Sequence, residues 1–256
     1  MIPIKNEEEI ELMRISSEIV AKALEHSWSF IKPGVSTGKL DEEIEKFILA
    51  RNARPSFKGL YGFPASACTS INHEVVHGIP SSKRILKEGD IVSVDIGVEK
   101  NGYYGDGAFT FPVGKIDERT KRLMQVTLES LYLGIENAQE SKRLQDISYA
   151  IQSHAEGYGY SVVRELVGHG IGKSPHEEPQ VFNFGKPNRG PVLKEGMVLA
   201  IEPMINMGER YVETLEDGWT VITKDHMPSA HYEHTVVVRN GTPEILTSHN
   251  LKEEVL

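Results

Sequence analysis

A carboxylate set inside an apolar strand is the feature that most constrains this chain. Val92-Ser-Val-Asp-Ile-Gly-Val98 is β-branched and apolar except for Asp95, and Asp is depleted in strands and costly to bury without a partner. Lys100-Asn-Gly102 carries a turn signal, and Tyr103 to Phe111 runs back as the second strand of a hairpin. Asp106 lies in that return strand, in Tyr103-Tyr-Gly-Asp-Gly-Ala-Phe109, with a glycine on each side. If Lys100 and Asn101 form the turn, Asp95 and Asp106 stand directly opposite. If Asn101 and Gly102 form it, they are diagonal neighbours. Both registers place the two acids on one face. Like charges that close destabilise each other unless a cation lies between them.

The anomaly recurs. Val198-Leu-Ala-Ile-Glu-Pro-Met-Ile205 is an apolar run holding Glu202, and Ala230-His-Tyr-Glu-His-Thr-Val-Val-Val238 holds Glu233. The first reads as a strand over Val198–Ile205 with an acid inside, and the second as a strand over Glu233–Val238 that opens on an acid. His169 sits in Val167-Gly-His-Gly-Ile-Gly172, which reads as a loop whose glycines let the backbone approach a neighbour closely. Oxygen-rich ligation with one imidazole differs from a closed structural zinc site. It suits Mn, Co, Fe or Zn in a hydrolytic site. Five such residues exceed the needs of one open ion and fit two ions about 3.5–4 Å apart.

The surrounding 256 residues read as one α+β domain, 1–256, without a linker or repeat to divide them. The spacing predicts helices from Asn6 to Phe30 and from Ser36 or Thr37 onward, then strands, then helices near 118–137 and 144–156, then strands again. Two helices followed by strands, twice over, suggests two similar halves. Acidic residues number 37 against 28 basic, with no basic stripe, which argues against nucleic-acid binding through phosphate neutralisation. The single cysteine excludes an internal disulfide and suits a reducing compartment. No apolar run approaches a membrane span, and Met1-Ile-Pro-Ile-Lys-Asn-Glu lacks the form of a secretory leader. A soluble, cytoplasmic protein is expected.

With these residues in view, the chain resembles the type I methionine aminopeptidases of the pita-bread fold. The resemblance rests on Val94-Asp95-Ile-Gly, Gly105-Asp106, Gly168-His-Gly-Ile-Gly172, Ile201-Glu-Pro203 and Tyr232-Glu-His234. His77-Gly-Ile-Pro80, Pro175-His-Glu-Glu-Pro179 and Asp217-Gly-Trp-Thr220 support it. It implies two pseudo-symmetric halves, with antiparallel sheets flanked by helices. It further implies removal of the initiator methionine from nascent chains when the second residue is small, so the chain's own Met1-Ile2 is expected to be a poor substrate.

The resemblance also implies roles. Asp95 would hold one divalent ion and His169 with Glu202 the other, while Asp106 and Glu233 would bridge them. Glu202 would act as general base. His176 would contact the scissile amide and His77 the substrate backbone. Tyr61, Phe63, Cys68 and Trp219 are candidates for the methionine pocket, with Cys68 shaping the pocket and not acting as nucleophile. Asn72 and Ser229 fall near a family site for a monovalent cation. The ribosome is an implied partner, and a monomer is expected.

Three positions depart from the family pattern. His73 separates Asn72 from Glu74, Leu60 stands where an aromatic is common, and His231 precedes Tyr232 where Gln is common. No consequence is expected of His231. Only 31 positions separate Glu202 from Glu233, too few for the helical insertion of type II enzymes, and no Cys-x-x-Cys pair suggests a zinc-finger extension. Proline-specific peptidases of the same fold usually carry a large preceding domain, for which there is no room ahead of Asp95. A ligand-free binding protein of this fold would lack the four acids and the imidazole found here.

Overall fold

The structure is a computed structural model describing residues 2–251 and residue 255. Met1, and with it the expectation for the Met1–Ile2 bond, lies outside them.

Helix α1 (Glu7–Trp28) begins where the sequence places a cap. The Asn6 side chain accepts the Glu9 amide at 2.9 Å, and the Glu9 carboxylate accepts the Asn6 amide at 3.1 Å. Its Ile10, Met13, Val20, Ala23 and Leu24 are buried. Helix α2 (Thr37–Leu49) is capped by the Ser36 hydroxyl. Helices α3 (Glu118–Ile135) and α4 (Leu144–Gly157) pack on each other in the second half of the chain. Among the described residues, all pairings between the strands are antiparallel. The α+β class and the twice-repeated order of helices and strands agree with the sequence reading. One apolar cluster runs through both halves, from Ile19 and Val94 to Leu199 and Tyr232.

The central hairpin joins Ile91–Lys100 to Tyr103–Pro112. Lys100 pairs with Tyr103, so Asn101 and Gly102 form the turn, with φ of 56° and 80°. Both are left-handed, as a two-residue hairpin turn that follows the strand twist requires. The strand Cys68–Ile71 lies on the other edge of Ile91–Lys100, and α1 covers the hairpin. Gly105 allows that contact, because a Cβ there would lie 2.7 Å from the Ser17 amide nitrogen of α1. The glycine before Asp106 therefore serves helix packing.

The strand expected over Val198–Ile205 is broken, and the one expected from Glu233 begins one residue later, at His234. Val198–Ile201 belongs to a five-stranded sheet and Met204–Asn206 to a three-stranded one, so the chain changes sheet at Glu202-Pro203. Ser229–His231 and His234–Val237 change sheets in the opposite sense at Tyr232-Glu233. Since Ile201 pairs with His234 and Met204 with His231, the two crossings face each other. Pro203 has no N–H to continue a ladder, which is the physical reason for the first break. Glu202 and Glu233 thus sit between strands and not within them.

Residues 168–170, expected as a loop, form a strand between Val198–Ile201 and Glu177–Val181. The glycines still act through close approach, since a Cβ on Gly168 would lie 2.3 Å from the Ala200 carbonyl oxygen.

Candidate metal centre and substrate cavity

The site forms on the seam between the halves. The Glu233 amide donates to the Ala108 carbonyl at 2.9 Å, and the Thr235 hydroxyl donates to the Asp106 carbonyl at 2.7 Å. The hairpin of the first half and the sheet crossing of the second are thereby held together by one backbone pair and one side-chain hydroxyl.

Asp95 pairs with Ala108 and Asp106 with Gly97, so the two acids are diagonal neighbours on one face of the hairpin. This is the register set by an Asn101-Gly102 turn. Ligand atoms of Asp106, His169 and Glu233 all lie within 4.8 Å of one another. The nearest oxygens of Glu202 and Asp106 stand 3.5 and 4.0 Å from His169 Nε2. Asp106 and Glu233 are buried, each 3% exposed. Asp95 Oδ1 and Glu233 Oε1 are buried without a hydrogen-bond partner among the described residues.

The protonation of this group is the central physical problem. His169 Nδ1 donates to the Gly170 carbonyl at 2.9 Å, which leaves Nε2 as the bare nitrogen facing the acids. Burial, reinforced by His176, lowers the His169 pKa to about 4, so the ring is neutral at neutral pH. Its approach to Glu202 and Asp106 is then no ion pair. Lone pairs face lone pairs, which demands a proton or a cation between them. Burial also pushes the carboxyls of Asp95, Asp106, Glu202 and Glu233 upward. The charge of Asp95 raises Asp106 and Glu202 further. Four acids in one buried group cannot all ionise unaided, and orphaned oxygens beside a fixed imidazole lone pair fit divalent cations.

A cavity of about 670 Å³ opens over this cluster. His77 and His176 both line it. Burial lowers the pKa of both imidazoles, with His176 adding to the effect at His77. The His176 ring meets the His169 ring edge to face at 4.5 Å. His77 holds φ at +59°, a left-handed conformation rare for a side-chain-bearing residue. Phe63 and Trp219 pack edge to face at 5.1 Å, and with Phe57 and Cys68 they form an apolar wall. Burial raises the Cys68 thiol well above its ordinary pKa, so it is a neutral wall group. Tyr61 is 79% exposed and lies at the mouth, stacked parallel to His176 at 6.3 Å.

Sequence reasoning missed Phe57, Val76, Leu166, Gln180 and Met204, which also line the cavity. No local pattern marks them, since the apolar ones read equally well as core and the exposed Gln180 as an ordinary solvated position of a strand. Asn72 and Ser229 do come together, the Ser229 amide donating to the Asn72 carbonyl at 2.9 Å. The Asn72 side chain is bonded to Asp90 and to the Ile91 amide. The Ser229 hydroxyl is bonded to Ile205 and Asn206. A monovalent cation there would have only second lone pairs of these oxygens to use.

Comparison with known proteins places this geometry. Residues 11–240 match the sequence model of metallopeptidase family M24. A methionine aminopeptidase of Clostridium acetobutylicum is 55% identical over 96% of this chain and 99% of its own length. A crystal structure of methionine aminopeptidase from Thermotoga maritima superposes with a TM-score of 0.96 at 44% identity, covering 97% of this chain and 100% of that one. A prolidase from Pyrococcus furiosus shares the fold at a TM-score of 0.79 and 25% identity, with 96% of this chain but 66% of that one covered.

Proposed function

The chain belongs to metallopeptidase family M24, and from that premise we propose how its site removes an N-terminal methionine. The activity is that of a methionine aminopeptidase, a hydrolase of pita-bread fold. The observation that carries the mechanism is the buried face-to-face array of acceptors, with His169 Nε2 3.5 Å from Glu202 and 4.0 Å from Asp106.

Two divalent cations, drawn from Co, Mn, Fe and Zn, would be held by five side chains. Asp95 would hold one, His169 and Glu202 would hold the other, and Asp106 and Glu233 would contribute to both. When bound, such cations lower the pKa of a water toward about 7 and polarise a carbonyl. Glu202 accepts the proton of the attacking water and passes it to the departing amine. His176 steadies the oxyanion that develops at the scissile carbonyl. His77 meets the substrate backbone from the other side of the cavity. The methionine side chain enters the wall of Phe63, Cys68 and Trp219, where a thioether gains from aromatic contacts. Tyr61 at the mouth crowds the position after the cleaved bond, which favours a small second residue. One domain carries the whole reaction, and the substrate is the N-terminus of a nascent polypeptide in the cytoplasm, near the ribosome.

The test is an assay of chelated protein with Met-Gly-Met and with a peptide bearing proline second. Free methionine from the first, appearing only after Mn or Co is restored, is the expected result. Cleavage confined to bonds before proline, or peptide binding without cleavage in any metal, contradicts the proposal.

A further inference from the structure

His231 is the residue whose environment the mechanism leaves unexplained. It is 1% exposed, and neither ring nitrogen has a hydrogen-bond partner among the described residues. Buried imidazoles are ordinarily paired, because an unpaired donor loses its water for nothing in return. Its backbone cannot retreat. The His231 amide donates to the Thr110 hydroxyl at 3.0 Å, and that hydroxyl donates back to the His231 carbonyl at 2.7 Å. Residue 231 also pairs with Met204 across the sheet crossing that carries Glu202.

The two carboxylate oxygens of Glu202 point at different rings. Oε1 lies 3.5 Å from His169 Nε2, and Oε2 lies 3.7 Å from His231 Nε2. The His169 nitrogen facing Glu202 is a bare acceptor, because its other nitrogen holds the proton. His231 has no such commitment and is free to present an N–H. We propose that His231 donates from Nε2 to Glu202 Oε2, making it a positioning residue that orients the general base. A separation of 3.7 Å is too long for a hydrogen bond. A small rotation of the Glu202 carboxylate would bring Oε2 within hydrogen-bond range, and catalytic hydrogen bonds that are long in a ligand-free structure commonly tighten in the working complex. A glutamine at this position would also offer an N–H to a carboxylate, so it keeps the donor and changes its carrier.

This inference rests on the reading of Glu202 as ligand and base. It is tested on the full chain with His231→Leu and His231→Gln, by calorimetric titration of metal-stripped protein with Mn(II) and by kcat and KM for Met-Gly-Met. Loss of an outer partner of a metal ligand commonly costs about 10-fold or more in affinity or rate. His231→Leu is therefore expected to lower kcat about 10-fold with KM little changed, and to weaken one of the Mn(II) sites by about as much. His231→Gln is expected to recover most of both losses. Equal losses in the two variants, or none in either, overturn the proposal. If His231→Leu does not fold, histidine ¹⁵N spectra of the wild-type protein loaded with Zn(II) decide, with His231 identified by its absence in His231→Gln. A proton on Nε2 in slow exchange supports the bond, and one on Nδ1 overturns it. Failure of the underlying reading looks different, since Glu202→Gln would then remain active whatever His231 does.

Discussion

Asp106 stands opposite Gly97 on the central hairpin, which sets its carboxylate diagonally across one face from that of Asp95. Everything in the site is organised around that placement. The hairpin turn fixes the register, α1 presses the hairpin from behind, and the sheet crossing at Glu233 brings the second half of the chain against its open face. Two acids this close are tolerable only when the group binds positive charge.

Replacing Glu202 by Gln keeps the size and removes the base. Hydrolysis of Met-Gly-Met is expected to fall by about 10²-fold or more. Asp106→Asn is expected to be equally inactive and also to lose metal, as measured by atomic absorption after dialysis. More than a few per cent of wild-type activity in either variant would remove the assigned roles.

Metal uptake is expected to release protons, because burial raises the pKa of all four acids. Ligands must be deprotonated to bind, so apparent affinity rises with pH. Calorimetry of Mn(II) binding in two buffers of different ionisation enthalpy measures the release. A binding heat independent of buffer would show that the acids are already ionised without metal.

Gly105→Ala should reach the site through packing alone. Its Cβ would lie 2.7 Å from the Ser17 amide nitrogen, so α1 and the strand carrying Asp106 must separate. Overpacking of this kind costs about 1–3 kcal/mol. Thermal melting should show that loss together with weakened Mn(II) binding. Wild-type values for both would mean that α1 does not set the hairpin position.

A second pair of buried imidazoles lies behind the site. The His234 and His249 rings are 5.0 Å apart, and His234 donates to or accepts from Thr247 at 2.9 Å and Tyr132 at 3.4 Å. Burial lowers His234 to about 3 and His249 to about 4, with Glu25 opposing the shift at His249. A histidine depressed in the fold binds fewer protons there than in the unfolded chain, where it titrates near about 6.5. The stability it lends is complete above that value and is lost as pH falls toward 4. His249→Gln should therefore flatten the decline of the urea midpoint between pH 6.5 and 4. An unchanged slope would place the acid sensitivity elsewhere.

Much of this was readable from residue order. Asn6 with Glu9 announced the first helix, and Asn101-Gly102 announced the hairpin. The four acids and the imidazole stood out because each is expensive where it lies. What stayed hidden depends on partners distant in sequence. Which of two turn registers held was a matter of one residue. The strand at 168–170 is too short and glycine-rich to declare itself, and its glycines are explained only by the Ala200 carbonyl against Gly168 and the Glu178 carbonyl against Gly170. Pro203 could have marked the break after Ile201, but nothing marks the one at Tyr232. His231 read as incidental because its neighbour Glu202 is 29 positions away.

The most direct test is anomalous diffraction from crystals of this protein grown with Mn(II). Two peaks about 3.5–4 Å apart, enclosed by Asp95, Asp106, His169, Glu202 and Glu233, are the predicted result. A map with no peak among these side chains, or with manganese bound only elsewhere, would contradict the account.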